Sequence, residues 1–419
     1  MLKTRLHQLL VVGLLLFVSA SVSPLFAQPT ISCPAVNAGN DTILAGPGCA
    51  NLTAVPVAGA QPTTYNVTPI PYNPYPYNAG TPILLNIDDT YSGALPIGFD
   101  FCFYGFNYNQ CVIGSNGILS FDLGLAGGFC PWAINNPIPS ALNPTNCIMA
   151  PWQDIDPSAG GAIRWASYGV APCRTFVVSY DAVPMFSFGC GGQLYTAQIV
   201  LYETTNIIET YIQNKTICAA WNGGNAIHGV TDATTTQATV VPGRNFPTQW
   251  AAMNDAWRFV PAGPPNFGIT WYEVGNPIPI ANTATVNVCP ATCQADYYAE
   301  VTYTNCNNAT VVVTDTVNVA IQQQINPNAV LTNVSCNGAN DGSIATAPSG
   351  GSAPYNYLWT PGGATTAGIT GLGPGNYTLQ ITDNLGCDTT LTFTIAEPPV
   401  ITATPAVVNV TCNGAADGS

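Results

Sequence analysis

Asn333-Val-Ser-Cys-Asn-Gly-Ala-Asn-Asp-Gly-Ser343 returns as Asn409-Val-Thr-Cys-Asn-Gly-Ala-Ala-Asp-Gly-Ser419, identical at nine of eleven positions and offset by 76 residues. Ile325 and Ile401 fall in the same register. A fixed period of this size marks a small domain copied in tandem. Within the copy, Asp341-Gly342 is a turn dipeptide. Tyr355, Tyr357 and Trp359 alternate onto one face as large core fillers. Gly375-Asn-Tyr-Thr-Leu-Gln-Ile-Thr382 reads as a strand that leads to a turn at Asn384–Gly386. The unit is therefore β, spans 325–399, and begins again, truncated, over 400–419. The chain is expected to be the front end of something longer.

Working back from the repeat, 87–260 shows short strands punctuated by Gly, Pro and Asn about every ten residues, the signature of an antiparallel sandwich. Ala197-Gln-Ile-Val-Leu-Tyr-Glu203 alternates clearly, and only Thr248–Trp257 could form even a short helix. Residues 261–324 look like a small immunoglobulin-like module, marginal on its own at 64 residues. Residues 28–86 form a Pro/Gly/Asn-rich lead-in. Its Thr68-Pro-Ile-Pro-Tyr-Asn-Pro-Tyr-Pro-Tyr77 cannot hold a central strand, because proline lacks the donor, and is expected to lay its tyrosines on the next domain. The fold class is all-β, a tandem of disulfide-stapled β-sandwiches.

Met1–Ala27 has a basic start at Lys3 and Arg5, an apolar run and a small residue at its end, the pattern of a signal peptide. No later stretch reads as a membrane span. Beyond it remain five basic residues against 21 acidic ones, a net charge of −16. That balance argues against nucleic acid and anionic membrane, both held chiefly through Lys and Arg. With 47% hydrophobic and 10% aromatic residues the chain can bury several cores.

Fifteen cysteines in an exported chain point to disulfides, and no paired CxxC at zinc spacing competes. Cys33 and Cys49 look like the ends of one small closed loop. Cys102 and Cys111 are disulfide candidates in the central block, and Cys293 and Cys306 flank the middle strand of the small module. Cys336 and Cys387 lie inside one complete repeat, and their bond would be worth roughly 4 kcal/mol in the chain-entropy model. Cys412 would then find its partner further along the chain.

Two segments resemble known families. Leu95-Pro-Ile-Gly-Phe-Asp-Phe-Cys-Phe-Tyr-Gly105, Ile113-Gly-Ser-Asn-Gly-Ile-Leu-Ser-Phe121, Ala150-Pro-Trp-Gln-Asp-Ile-Asp156 and His228-Gly-Val230 follow in the order of a nidogen-like (NIDO) domain. That resemblance implies extracellular structure and adhesion, with no catalytic residues to carry over. Cys336-Asn-Gly-x-x-Asp-Gly-Ser343, Gly350-Gly-x-x-Pro-Tyr-x-Tyr-x-Trp359, Leu372-x-Pro-Gly-x-Tyr377 and Ile381-Thr-Asp-x-x-Gly-Cys387 resemble the SprB-type repeat of large surface adhesins of gliding bacteria. It implies a link to gliding motility.

Asp154 and Asp156 are the candidate site. On a strand they would share a face about 6–7 Å apart, near the lower limit for an inverting glycosidase pair. They could equally give two oxygens to calcium, or cap the turn at Pro157–Gly160. Asn337 with Asp341-Gly342 is a second, weaker calcium candidate. His228 could serve a triad or sit structurally. Thr42, Thr316 and Thr389 each follow an Asp, as in bacterial O-glycosylation acceptors or as ordinary solvent-facing threonines. No catalytic residue is assigned, and no cofactor other than possible calcium. The expected role is a secreted or cell-surface adhesion protein that presents tandem β-domains to a glycan, a protein or a substratum. The alternative is an accessory, carbohydrate-binding region of a secreted hydrolase whose catalytic domain lies beyond residue 419.

Overall fold

A computed structural model describes residues 33–57, 59–85, 87–186, 189–190, 192–321 and 324–418. The signal-peptide segment lies outside them. Among the described residues the only helical pieces are two 3-10 turns, Leu123–Leu125 and Asn222–Gly224. The stretch with helical potential is instead mostly strand, Ala252–Pro261, between Ile208–Lys215 and Tyr65–Pro69. Packing settles this: Ala256 and Phe259 are buried on opposite faces of the sheet.

The head consists of two antiparallel sheets. One has six strands in the order 238–240, 227–231, 147–152, 118–120, 106–114 and 95–103. The other has seven, in the order 65–69, 252–261, 208–215, 194–202, 175–184, 162–168 and 81–83. Ile97, Phe101, Phe103, Ile113 and Ile148 meet Phe176, Val178, Ile199, Leu201 and Phe259 between them. The outer face of the larger sheet is covered as well. Tyr72 and Tyr75 of the Pro-rich stretch pack over Val177, Val200 and Tyr211, Tyr75 stacking on Tyr168 at 4.8 Å. Gln198 fixes the stretch by bonding both the N–H and the C=O of Tyr75. The outer face of the smaller sheet is closed by the 121–146 loop, through Leu125, Ile134 and Ile138.

The small module is discontinuous in sequence. Strands Phe267–Glu273, Gln294–Thr304 and Thr310–Ile321 form a sheet that Thr42–Leu44 joins in parallel. Ala50–Thr53 pairs with Thr285–Val288. Ala38, Ala50, Leu52 and Ala54 from the start of the chain fill the same core as Trp271, Tyr297, Val301 and Val317. The segment expected as a lead-in thus supplies the missing part of the module expected over 261–324, and the head is inserted between them. A 64-residue piece is marginal in the apolar surface it can bury alone. The separation follows from that.

This topology corrects the expected disulfides. Cys33 pairs with Cys173 and Cys49 with Cys289, not with each other. The 50–53 strand carries Cys49 to the end of the 285–288 strand, away from Cys33. Cys102 bonds Cys306 across the head–module boundary, while Cys111 is a free thiol in the head core. Cys293 bonds Cys387 and so ties the module to the repeat, leaving Cys336 exposed and free. Cys190–Cys218 is the fifth bond.

The repeat is a small sandwich of two three-stranded sheets, 330–332, 342–345, 368–372 and 356–360, 375–382, 388–395. Ile325, Ile344, Trp359, Leu379, Ile381 and Ile395 form its core, with Tyr355 and Tyr357 packed alongside.

Candidate functional site

Among the described residues, one group of three carboxylates in the head lies within metal-ligating range of one another. The turn Ser115–Gly117 joins two strands of the smaller sheet. Gly117 is required there: its φ is +80°, and a Cβ would come within 2.1 Å of the Pro151 carbonyl oxygen. The turn places Asn116, fully buried, as a clasp. Its amide donates to Asp89 Oδ1 at 2.9 Å, its side-chain oxygen accepts from Ile155 N at 3.1 Å, and its carbonyl accepts from Gln153 N at 3.2 Å. Asn116 thereby draws the segment at Asp88 and Asp89 against the segment at Asp154.

Asp88, Asp89 and Asp154 each bring a carboxylate oxygen within 4.8 Å of the others. Asp154 is only 5% exposed. Its Oδ2 accepts from the Trp221 indole N–H at 2.5 Å, while its Oδ1 is buried without a hydrogen-bond partner. Burial, followed by the charges of Asp89, Asp156 and Asp154, pushes Asp88 up to about 7. Burial raises Asp154 to about 6 against the lowering effect of Trp221, with Asp89 and Asp156 adding to the rise. Asp89 is raised too, by burial and despite its bond to Asn116. Such a group resists full ionisation unless a cation joins it.

Asp156 does not join the group. Its Oδ1 accepts from Ser158 N at 2.9 Å and Ala159 N at 3.2 Å, the turn-capping outcome. The weaker calcium candidate also comes apart: Asp341 accepts from Ser335 N, and Asn337 donates to the Pro398 carbonyl. Asp88 and Asp89 were missed in the sequence. An Asp-Asp pair in a chain with 7% charged residues was the available signal, but only the fold reveals that Asp154 lies beside it.

His228 is buried and structural. Arg244 donates to its Nδ1 at 3.1 Å, so Nε2 carries the hydrogen and donates to Thr210 Oγ1 at 2.8 Å. Burial and the nearby Arg244 charge hold it well below the usual histidine range, hence neutral. Lys215 is also buried, donating to the Trp250 carbonyl at 2.7 Å with its ammonium 4.5 Å from the indole centroid. Burial and then Arg244 bring it down to about 7. The ion pairs among the described residues are Arg174–Glu203, Arg244–Asp255 and Arg258–Glu209. A grouping of Cys293, Cys387 and Asp383 has metal-like spacing, but its sulfurs form a disulfide and Asp383 caps the turn at Leu385 and Cys387.

No helix among the described residues is long and apolar enough to cross a membrane. Residues 64–262 match the family model described as NIDO related, and residues 328–364 match the SprB repeat. No curated protein matches the chain. Solved structures similar to it include Sidekick-1 immunoglobulin domains 1-4, at 11% identity over 59% of this chain and 73% of that one, TM-score 0.13. The Protocadherin Gamma B7 extracellular cadherin domains 1-4 share 8% identity over 87% and 76%, TM-score 0.13. The human Desmocollin-1 ectodomain shares 11% over 90% and 81%, TM-score 0.16. The NIDO-related match coincides with the two-sheet head, from its edge strand Tyr65–Pro69 to Ala252–Pro261. The chain therefore carries a NIDO-related domain at residues 64–262, followed by a SprB repeat at residues 328–364.

Proposed function

We propose that this extracellular, adhesion-type chain is displayed at the cell surface, where it serves attachment to a substratum and gliding movement. The observation that carries this reading is the pairing of a NIDO-related head with a SprB repeat. Disulfides that span 94 to 240 residues strengthen it. Such bonds persist in oxidising surroundings outside the cytoplasm. Cys102–Cys306 locks the head to the module, and Cys293–Cys387 locks the module to the repeat. Three covalently joined β-bodies in series suit load-bearing presentation better than turnover of a substrate.

The test is made on intact cells. Protease added outside should remove the head, and a strain lacking the gene should adhere to glass less and spread more slowly on agar. Protection of the head from external protease, or unchanged adhesion and spreading in the deletion strain, would refute the proposal.

A further inference from the structure

We infer that Asp88, Asp89 and Asp154 form a divalent-cation site, selective for calcium, that fastens the leading segment of the head to the loop after Trp152. This goes beyond the adhesion reading and stands without it. Two independent observations meet here. Three carboxylates from two distant segments hold ligand oxygens within 4.8 Å of one another. Separately, Asp154, 5% exposed, keeps one buried carboxylate oxygen without any protein partner. A buried carboxylate oxygen is costly to leave unpaired, and none of the ion pairs among the described residues reaches this group.

The donor set decides the ion. Oxygen-only ligands favour calcium, magnesium or manganese over zinc and copper. Asp88 and Asp89 are half-buried, so water can complete the shell. Calcium accepts such irregular, partly hydrated sites, whereas magnesium demands near-octahedral geometry. Three carboxylates with water place the dissociation constant on the order of 10⁻⁴–10⁻³ M, the range of extracellular modules. Burial first, and then the neighbouring carboxylate charges, push Asp88 up to about 7, and calcium would offset both.

Trp221, bonded to Asp154, supplies a built-in probe, because its indole lies within energy-transfer range of an ion held there. Terbium should luminesce on tryptophan excitation, and calcium should displace it. Calcium at ten times its dissociation constant should multiply the folded-to-unfolded ratio about tenfold. Asp88→Asn and Asp154→Asn should each abolish the emission and the calcium-dependent rise in Tm. Asp156→Asn should keep both. Asp154→Asn, at a buried position, could fail to fold. Asp88→Asn, at a half-buried position, then decides, with circular dichroism as the check on folding. The inference is overturned if native protein shows no calcium-competed emission and no Tm shift, or if both survive in folded Asp88→Asn. Terbium emission that calcium does not displace overturns it equally.

Discussion

Leu52→Ala should loosen a module whose three longest strands begin more than two hundred residues later. Leu52 is 3% exposed and pairs with Val286, in the core that holds Trp271, Tyr297 and Val301. Truncating a fully buried leucine removes its transfer free energy and leaves a cavity, together about 2–5 kcal/mol. Around the middle of that range, about 3 kcal/mol, the opening equilibrium of the module rises by roughly a hundredfold. Hydrogen exchange reads this directly. The amides of Ala299 and Val301 lie in the central strand Gln294–Thr304, and their exchange should accelerate by that factor. The amides of Val178 and Ile199, in the head, should change much less. Val55→Ala is the control, since Val55 is exposed on its strand, and should change exchange by less than about threefold. If Leu52→Ala leaves Ala299 and Val301 as protected as before, the split-module architecture is wrong.

Thiol reagents should modify Cys336 and Cys412 in the native protein and reach Cys111, Cys130 and Cys147 only after unfolding. Burial keeps those three protonated, Cys130 being pushed up to about 12, and rapid native labelling of all five would contradict the packing. Between pH 7 and about 8.5 the unfolded chain binds a proton at Lys215 that the folded chain, with Lys215 at about 7, has largely released. Stability should therefore rise with pH across that window, by up to about 1.4 kcal/mol per unit, and Lys215→Met should flatten the rise in urea titrations. An equally steep profile in that variant would remove Lys215 as the cause. Completing the second copy, by appending 344–399 after residue 419, should bury Ile401 and bring the new counterpart of Cys387 to Cys336. Cys336 sits beside Glu397 and Pro398 at the trailing end of the repeat, while Cys387 sits at the leading end beside Cys293. Mass spectrometry of non-reduced peptides should find the Cys336 link between copies, and a Cys336 that stays free would count against it.

The all-β class and the strand-rich head could be read from period-two alternation and turn residues, because these signals lie within ten residues of one another, and the two families came from the resemblance of their ordered motifs. Local hydrogen bonding was equally accessible. Asp156 caps its own turn. Asp341 accepts from Ser335 N and Asp417 accepts from Thr411 N, the same six-residue loop formed twice from the repeated sequence. Even that loop shows the limit: Ile325 is 2% exposed, whereas its counterpart Ile401 is 95% exposed, because only the first copy has its opposite sheet in place. Tertiary structure decided what depends on which distant strands become neighbours. It moved Cys33 and Cys49 to partners 140 and 240 residues away, and it put Cys387 against Cys293 in place of Cys336. It also set Asp154 beside Asp88 and Asp89. Spacing along a chain constrains contacts within a turn or a hairpin. Contacts across a sandwich follow from the order of strands in the sheets, which the need to bury two discontinuous halves of one core imposes on the molecule as a whole.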